Sequence, residues 1–453
     1  MSNKRISSSN KIVHILHCVD TEGPLYESLE ATFDRLYELY NIKLEPDEEK
    51  LKKIQNGLID FGDNTATIAE TFNKHNLKYN DSWEKIDKML VEIMAPAFRN
   101  KLLDSFGNGW VYNWFCVDHV GFKNNPRRRT LGFHKIFDHY KNILGKTNIY
   151  QDEIQWHFHP MSIYQDAHRS GVSYLTTPYI YEILCKRIIE RKWFPSVFRA
   201  GFHTERPDSN WFLEQWIPFD ASNWSYNEER GSFSHQNDMI GGRFKDWRLA
   251  PDDWSIYHPS HDNYQILGNC RRWICRALDL RIRNKILPQR EVDKAFARAN
   301  EGEPTIMGIT NHDERDMLPE VEEIREKIIL SSKKYPDVKF KFCGAKEAFL
   351  SAIYGNEMID KPVDLTVTLD GNRKRLFLYV ETKEGKVFGP QPFLSVKTKS
   401  GRFIHDNFDF DTSLTKWSYT FDHESIHADD VAIIGVACND RHGNTFVKVI
   451  NVD

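Results

Sequence analysis

The segment IQWHFHP, residues 154–160, places two histidines two positions apart, immediately before a proline. In an extended chain, residues i and i+2 point to the same side, so the imidazoles of His157 and His159 can face one point. Two neutral imidazoles and one carboxylate make a three-ligand metal site with a position left open for water. The same spacing also occurs when a half-buried strand contains two histidines, so the pair alone does not identify a metal site.

A pair of acidic residues could supply the carboxylates for such a site. The segment VDTEG contains Asp20 and Glu22, again with the spacing that directs both side chains to one side of an extended chain. One carboxylate can bind the metal, and a second one beside it can take a proton from water. Alone, this segment is more often an ordinary turn with a solvated acidic pair.

Three further segments contain side chains suited to the same chemistry. FRAG contains Arg199, whose guanidinium can keep a carboxylate ionised through a bidentate ion pair. NHDER contains His312, which could donate a proton to a leaving group, and Asp313 or Asp220 of FDAS could orient that histidine. We consider Asp220 and Arg315, the last residue of NHDER, as substrate-binding candidates.

Alternating strands and helices must carry these residues. Buried strands are predicted at KIVHILHCVD (11–20), GWVYNWFCVDHVG (109–121) and DEIQWHFHP (152–160), and shorter strands at SVFRAG, IPFDAS, PTIMGITNHDE and VKFKFCG. Helical patterns lie between them, which predicts a parallel sheet or barrel with its functional residues at the strand carboxyl ends. The candidate residues follow five such strands, and this joint placement favours the metal-site interpretation.

Other stretches do not belong to a minimal barrel. Residues from about 25 to 106 have a helical pattern and predict an insertion after the first strand. Residues from about 223 to 300 are aromatic and polar, and predict a second insertion with a short helix at RRWICRALDLRIRN, 271–284. From 357 to 453, apolar and polar residues alternate between turns, which predicts a small β-sandwich-like domain after a barrel domain of residues 1–356.

Composition excludes several classes of protein. The net charge of −4 gives no basic excess that would indicate nucleic acid or an anionic membrane as a partner. No run of about 18 apolar residues is present, so we expect no membrane span. The first apolar segment is interrupted by His14 and His17 and is interpreted as a core strand, not a signal peptide. Seven cysteines without regular spacing favour reduced thiols and a cytoplasmic location.

Aromatic residues are abundant, at 13% of the chain. They suit either a sugar-contacting surface or a large, well-packed core. The same alternatives apply to Trp417 and Tyr419 in TKWSYTF, where a cross-strand or core pair is the commoner arrangement.

The order of these segments resembles the polysaccharide deacetylase (NodB-like) superfamily over residues 12–350, approximately. VDTEGP, WHFHP, FRAG, FDAS and NHDER follow one another as the corresponding segments do in that superfamily. The resemblance is closest to deacetylase-like proteins of bacterial surface-polysaccharide (O-antigen) gene clusters. It implies a distorted (β/α)7 barrel, a divalent metal that is usually zinc, and removal of an N- or O-acetyl group from a sugar.

The resemblance implies Glu22, His157 and His159 as metal ligands and Asp20 as the catalytic base. If the acidic roles are exchanged, Asp20 is the ligand. The superfamily's acidic pair is adjacent and its histidines are usually four apart, whereas Thr21 separates the acids here and the histidines are two apart.

The remaining roles follow from the same resemblance. Arg199 corresponds to the arginine that pairs with the base, and His312 to the late histidine that acts as general acid, with Asp313 beside it in the catalytic set. The implied reaction is attack of water on the acetyl carbonyl. The base takes the proton of the water, and His312 protonates the departing amine.

The implied substrate is a saccharide in nucleotide-linked, lipid-linked or polymeric form, used in surface polysaccharide or lipopolysaccharide biosynthesis. One alternative is another metal-dependent hydrolase on the same barrel, acting on a glycosidic bond or a cyclic amide. A second alternative is a barrel that binds carbohydrate without turnover. The complete set of acidic residues, histidines and arginine argues against this last reading, because a degenerate site would be expected to lose ligands.

Overall fold

The computed structural model describes residues 11–147, 151–169, 171, 173–226, 246–282, 285–355, 361–372 and 374–452. The α-helices are α1 (Leu29–Tyr40), α2 (Glu48–Gln55), α3 (Thr65–Thr71), α4 (Trp83–Ile93), α5 (Pro96–Arg99), α6 (Lys135–Thr147), α7 (Tyr179–Arg191), α8 (Ser209–Trp216), α9 (Gln289–Asn300), α10 (Leu318–Lys334) and α11 (Ala345–Tyr354). The first ten strands are β1 (Ile12–Thr21), β2 (Asn113–Cys116), β3 (Glu153–Phe158), β4 (Val197–Ala200), β5 (Phe219–Asn223), β6 (Trp273–Asp279), β7 (Arg281–Ile282), β8 (Lys285–Ile286), β9 (Thr305–His312) and β10 (Lys339–Phe342). The later strands are β11 (Asp364–Gly371), β12 (Leu376–Glu384), β13 (Phe393–Thr398), β14 (Phe403–Asp406), β15 (Asp409–Phe410), β16 (Lys416–Phe421), β17 (Val431–Asn439) and β18 (Thr445–Asn451).

Seven parallel strands close into a barrel in the order β1, β2, β3, β4, β5, β6 and β9. Strand β9 completes the ring, because it pairs with β6 on one side and with residues 13–20 of β1 on the other. Strand β10 pairs only with residues 12–15 of β1, ahead of residues 18–21, where β2 takes over the pairing. Helices lie between most successive barrel strands in the described part of the chain, so the parallel barrel predicted from the sequence is confirmed.

The first strand has the burial expected of a barrel strand. Every residue from Val13 to Thr21 is buried, because one face of β1 points into the barrel and the other lies under helices. A near-continuous apolar run such as IVHILHCV is the usual sequence of a strand covered on both faces. Its two histidines are compatible with burial because they are hydrogen-bonded, His14 to the carbonyl of Thr305 and His17 to Asn311 and Trp110.

The helical insertion between β1 and β2 comprises α1 to α5, as predicted. It has a small hydrophobic core of its own, to which α1, α2 and α3 contribute. Asn80 ties the insertion to the loop after β9, because its amide groups donate hydrogen bonds to the carbonyls of Asp313, Glu314 and Arg315. The insertion therefore helps to hold the loop that follows His312.

The predicted short helix at 271–284 is wrong. This segment contains β6, a strand of the barrel, followed by the two-stranded pairing of β7 with β8. The charged residues of β6 are paired inside the protein: Arg276 binds Glu291, and Asp279 accepts a hydrogen bond from Trp224. An insertion can therefore extend only up to the start of β6.

The C-terminal strands form two antiparallel sheets, with strand orders β11-β12-β16-β15 and β14-β13-β17-β18. A single hydrophobic cluster contains buried residues from both sheets, among them Leu378 of β12 and Val436 of β17. Trp417 and Tyr419 belong to this cluster and are 2% and 6% exposed, which favours the core interpretation over sugar stacking.

The C-terminal sheets pack against helices α7 and α8 of the barrel. Phe393 of β13 and Ala437 of β17 belong to the same buried cluster as residues of both helices. Asn439 donates hydrogen bonds of 2.8 Å to the carbonyl oxygens of Pro195 and Trp216, which lie next to barrel strands. Among the described residues, no helix combines the length and apolar character that a membrane span requires.

Candidate metal centre

Three candidate ligands lie at the carboxyl ends of two barrel strands. Glu22 follows β1 directly, His157 is the next-to-last residue of β3, and His159 follows that strand. Strand β2 pairs with both β1 and β3, so the two segments meet at one end of the barrel. All three side chains are buried, and they form a group that could hold a metal ion.

The ligand atoms have the spacing that one small cation requires. The two histidine Nε2 atoms are 3.0 Å apart, and Glu22 Oε1 lies 3.7 Å from that of His157 and 3.3 Å from that of His159. A tetrahedral ion with bonds of about 2.0–2.1 Å separates its ligand atoms by roughly 3.3–3.4 Å. Two nitrogen lone pairs at such a distance repel each other unless a proton or a cation lies between them. The donor set therefore fits a metal ion.

The orientation of His157 is set by a hydrogen bond across the sheet. Its Nδ1 atom lies 3.1 Å from the carbonyl oxygen of Arg199, its register partner on β4. Because a carbonyl oxygen only accepts, Nδ1 carries the proton and Nε2 retains the lone pair that binds a metal.

The orientation of His159 is set by packing. Its ring lies against Gly201, where an added Cβ would be 2.3 Å from the imidazole Cδ2 atom. Phe202 contacts the same ring edge-on, with centroids 4.8 Å apart. The glycine of FRAG therefore provides the space that this ligand occupies.

Asp20 lies beside the group but not in it. Its Oδ1 atom accepts a 2.6 Å hydrogen bond from Nε of Arg199. The nearest nitrogen of His157 is Nδ1, at 3.7 Å, which already faces a carbonyl oxygen. Burial by itself would raise the pKa of Asp20, but Arg199, followed by His157 and His312, holds it below its ordinary value. Asp20 is thus an ionised carboxylate next to the ligand group.

His312, the last residue of β9, closes the site from the opposite side. Its Nε2 atom lies 3.8 Å from Asp20 Oδ2 and 3.9 Å from Glu22 Oε1. Its side chain is 35% exposed, whereas those two carboxylates are 4% and 9% exposed, so His312 stands at the opening. Burial lowers the pKa of His312, but the charges of Asp20, Glu314, Glu22 and Asp279 outweigh it and raise the pKa above its ordinary value.

Arg128 links two buried carboxylates behind the ligand group. Its guanidinium forms short ion pairs with Glu22 and Glu314 and donates a 3.0 Å hydrogen bond to the carbonyl of Gly23. Burial opposes ionisation of Glu22, but Arg128 and the histidine His159 hold its pKa well below the ordinary value. Glu22 is therefore charged and fixed in position before any metal binds.

Asp313 supports the loop that carries Glu22. Its carboxylate accepts hydrogen bonds from the backbone N–H groups of Glu22, at 2.9 Å, and Gly23, and from the hydroxyl of Tyr140 at 2.8 Å. Gly23 has φ of +69°, a left-handed conformation that favours glycine. Burial raises the pKa of Asp313 to about 6. Within the described part of the chain, its hydrogen bonds go to this loop and to Tyr140 and not to the ring of His312.

The two substrate-binding candidates lie elsewhere. Asp220 is the second residue of β5, near its amino end, and the expectation that it stands at a carboxyl end is wrong. It is fully buried and pairs with Arg272. Arg315 lies over the ring of Tyr79, a residue of the helical insertion, with 5.5 Å between guanidinium and ring centroid. Their substrate contacts stay predictions.

Three residues that support the site were not identified from the sequence: Arg128, Glu314 and His119. Glu314 lies within NHDER, beside residues that were identified. His119 follows the end of β2 and lies 3.1 Å from the carbonyl of Glu22, so the rule of strand carboxyl ends would have found it. Arg128 lies in a run of three arginines without periodicity, and the sequence contains no signal that distinguishes it.

Comparisons with known proteins do not identify a family for this chain. No family model, curated protein or solved structure shows significant similarity to the chain.

Proposed function

We propose that this protein is a metal-dependent sugar deacetylase on a polysaccharide-deacetylase-type barrel, with a small β-sandwich as its C-terminal unit. The observation that carries this proposal is the convergence of Glu22 Oε1 and the Nε2 atoms of His157 and His159, with Asp20 and His312 beside them. Two imidazoles and a carboxylate are a ligand set typical of catalytic zinc, so Zn²⁺ is the metal we expect.

When bound, the metal supplies Lewis acidity toward the scissile carbonyl and the attacking water. Glu22, His157 and His159 would hold it. Three protein ligands would leave one coordination position of the metal open, so the site would have room for water and the substrate carbonyl.

Asp20 has the properties of the general base. Its ion pair with Arg199 keeps it charged, and it lies beside the ligand group without belonging to it, so its second oxygen can accept the proton of a water molecule. Arg199 is itself fixed, because Nη1 donates a 2.8 Å hydrogen bond to the carbonyl of Ala221. Arg199 therefore acts as a positioning residue for the base.

His312 has the properties of the general acid. It stands at the opening of the site, where a leaving group would depart, and the surrounding carboxylates favour its protonated form. Proton transfer to the nitrogen of an N-acetyl sugar would release a free amine, and transfer to an oxygen would release a hydroxyl. The base and the acid thus lie next to each other, on the neighbouring strands β1 and β9, beside the ligand group.

The deciding experiment combines metal analysis with product analysis. We expect about one divalent ion per chain, and release of acetate from at least one member of a panel of nucleotide-linked, lipid-linked and polymeric N-acetyl sugars. Asp20→Asn and His312→Ala should each lower acetate release by about 10²–10⁴-fold, the usual contribution of a general base or acid. Replacing an exposed histidine between β16 and β17 of the C-terminal sheets, His423→Ala, should leave the rate unchanged.

The alternative functions give different results in the same assay. Release of reducing sugar without acetate would indicate a glycosidase, and ring opening of a cyclic amide would indicate an amidohydrolase. Saturable saccharide binding without any product would indicate a binding protein. A chain purified with intact fold but without affinity for divalent ions would contradict the metal site as well.

A further inference from the structure

A second cavity, of about 510 Å³, lies at the other end of the barrel. It is lined by Trp273, the first residue of β6, and by residues of the loop between β17 and β18, including Arg441. The metal ligands lie at the carboxyl ends of the strands, whereas Trp273 marks an amino end. The cavity is therefore separate from the candidate metal centre and lies where the barrel meets the C-terminal sheets.

The cavity lining is strongly cationic in a chain whose net charge is −4. Four permanently charged side chains line it: Arg271, Lys361, Lys386 and Arg441. Lys361 pairs with Glu384 at 3.0 Å, on the exposed surface. For the side chains of Arg271 and Lys386, the described ranges contain no carboxylate within ion-pair distance.

The lining contains one carboxylate, that of Asp440. Asp440 is 3% exposed, and both of its oxygens are occupied by the surrounding loop. Oδ1 accepts hydrogen bonds from the backbone N–H groups of His442 and Asn444, at 2.8 and 2.9 Å. Oδ2 accepts from the side-chain amide of Asn444 and the backbone N–H of Val363. Asp440 thus shapes the loop that presents Arg441.

Aromatic rings form another part of the lining. His258 and Trp273 contact each other with ring centroids 3.5 Å apart, and Tyr354 packs on His442 with centroids 4.8 Å apart. Rings of this kind provide flat apolar surface for a planar group. A volume of about 510 Å³ lies in the usual range for small-molecule sites, roughly 300–1,000 Å³.

We infer that this cavity binds an organic phosphate whose phosphate groups contact Arg271 and Lys386 and whose planar ring lies against the aromatic pair of His258 and Trp273. Guanidinium groups bind phosphate oxygens in a bidentate geometry, and ammonium groups attract phosphate without requiring a particular orientation. A nucleoside diphosphate has both parts, an anionic end and an aromatic base. The site is independent of the chemistry proposed at the metal centre.

Calorimetric titration of the full-length protein with ADP, pyrophosphate and adenosine tests this inference. We expect saturable binding of one ADP per chain, weaker binding of pyrophosphate, and still weaker binding of adenosine. The double variant Arg271→Ala/Lys386→Ala should raise the Kd for ADP by at least about tenfold, since it removes two charge-assisted contacts.

A matched control separates a specific site from general attraction of anions. The double variant Arg402→Ala/Lys333→Ala makes the same change of charge at two exposed positions outside the cavity, and should change the Kd less than about twofold. Equal weakening in both double variants, or no saturable ADP binding by the unmodified protein, would overturn the inference. Phosphate held at the metal centre would be insensitive to both variants and would also overturn it.

Trp273→Ala tests the aromatic part of the site. It should weaken ADP binding while leaving the Kd for pyrophosphate unchanged, and the retained pyrophosphate binding demonstrates that the cavity remains folded. Unchanged affinity for ADP would contradict the placement of the ring.

Discussion

His159 packs directly on Gly201: a Cβ atom at residue 201 would lie 2.3 Å from Cδ2 and 2.8 Å from Cα of the histidine. Space for a candidate metal ligand at the end of β3 is thus provided by the absence of a side chain at the residue after β4. Such contact distances are shorter than any that carbon atoms tolerate, so a larger residue must displace the ring or the backbone.

Gly201→Ala should therefore weaken metal binding without removing a ligand. We expect a loss of about 10- to 100-fold in affinity, comparable to the loss of an outer contact that orients a ligand. Competition with a chromophoric chelator measures it. Gly145→Ala is the control, because Gly145 is exposed in α6 and nothing lies within 4 Å of its added Cβ. Equal affinity in the two variants would mean that the ring is free to move.

Substitutions of the two acidic residues of VDTEG should have different effects on metal binding and on turnover. Glu22→Gln removes a ligand charge and should abolish stoichiometric metal binding. Asp20→Asn should retain the metal but lose about 10²–10⁴-fold in turnover, because Asp20 is paired with Arg199 and not with the ligand nitrogens. Elemental analysis of each purified variant distinguishes them. If Asp20→Asn loses the metal and Glu22→Gln retains it, the roles are exchanged.

Arg128→Ala should destabilise the fold as well as the site. It leaves Glu22 and Glu314 buried without their shared cation, and breaking a buried pair in this way costs about 3–5 kcal/mol in unfolding free energy. Arg129, the next residue, is exposed and lies over the ring of Tyr26, so Arg129→Ala should cost less than about 1 kcal/mol. Urea denaturation compares the two variants. Similar midpoints for both would show that Arg128 is not essential for stability.

Asn439→Ala should weaken the contact between the C-terminal sheets and the barrel. The change leaves the carbonyl oxygens of Pro195 and Trp216 buried without this donor, which costs about 1–3 kcal/mol for each unsatisfied group. Thermal denaturation should show a lower midpoint than for Asn451→Ala, a control at an exposed position of β18. An unchanged midpoint would indicate that the two parts unfold independently.

The strand ends that carry the site could be predicted from the sequence. Continuous apolar runs followed by polar residues located β1, β3, β4 and β9, and with them Asp20, Glu22, His157, Arg199 and His312. The rule of strand carboxyl ends holds because parallel strands bring these ends together, whatever their separation along the chain.

Two expectations failed where local pattern and tertiary burial disagree. Residues 271–284 were expected to contain a short helix, but they contain the barrel strand β6, whose Arg276 and Asp279 are paired with Glu291 and Trp224. The sequence does not reveal that these partners lie nearby. Asp220 was expected at the carboxyl end of a strand but is the second residue of β5, a strand of five residues, in which a small error in the boundary changes the end to which a side chain is assigned.

By itself, then, the sequence determined the alternation of strands and helices, the change to antiparallel strands near the C-terminus, and the residue types available at the barrel mouth. Local periodicity and composition are enough for these, because each depends on neighbours in the chain. Only the tertiary structure decided which carboxylate faces the histidines, which of three consecutive arginines joins Glu22 to Glu314, and which glycine makes room for His159. These choices depend on distances between segments far apart in sequence, and barrel closure sets those distances.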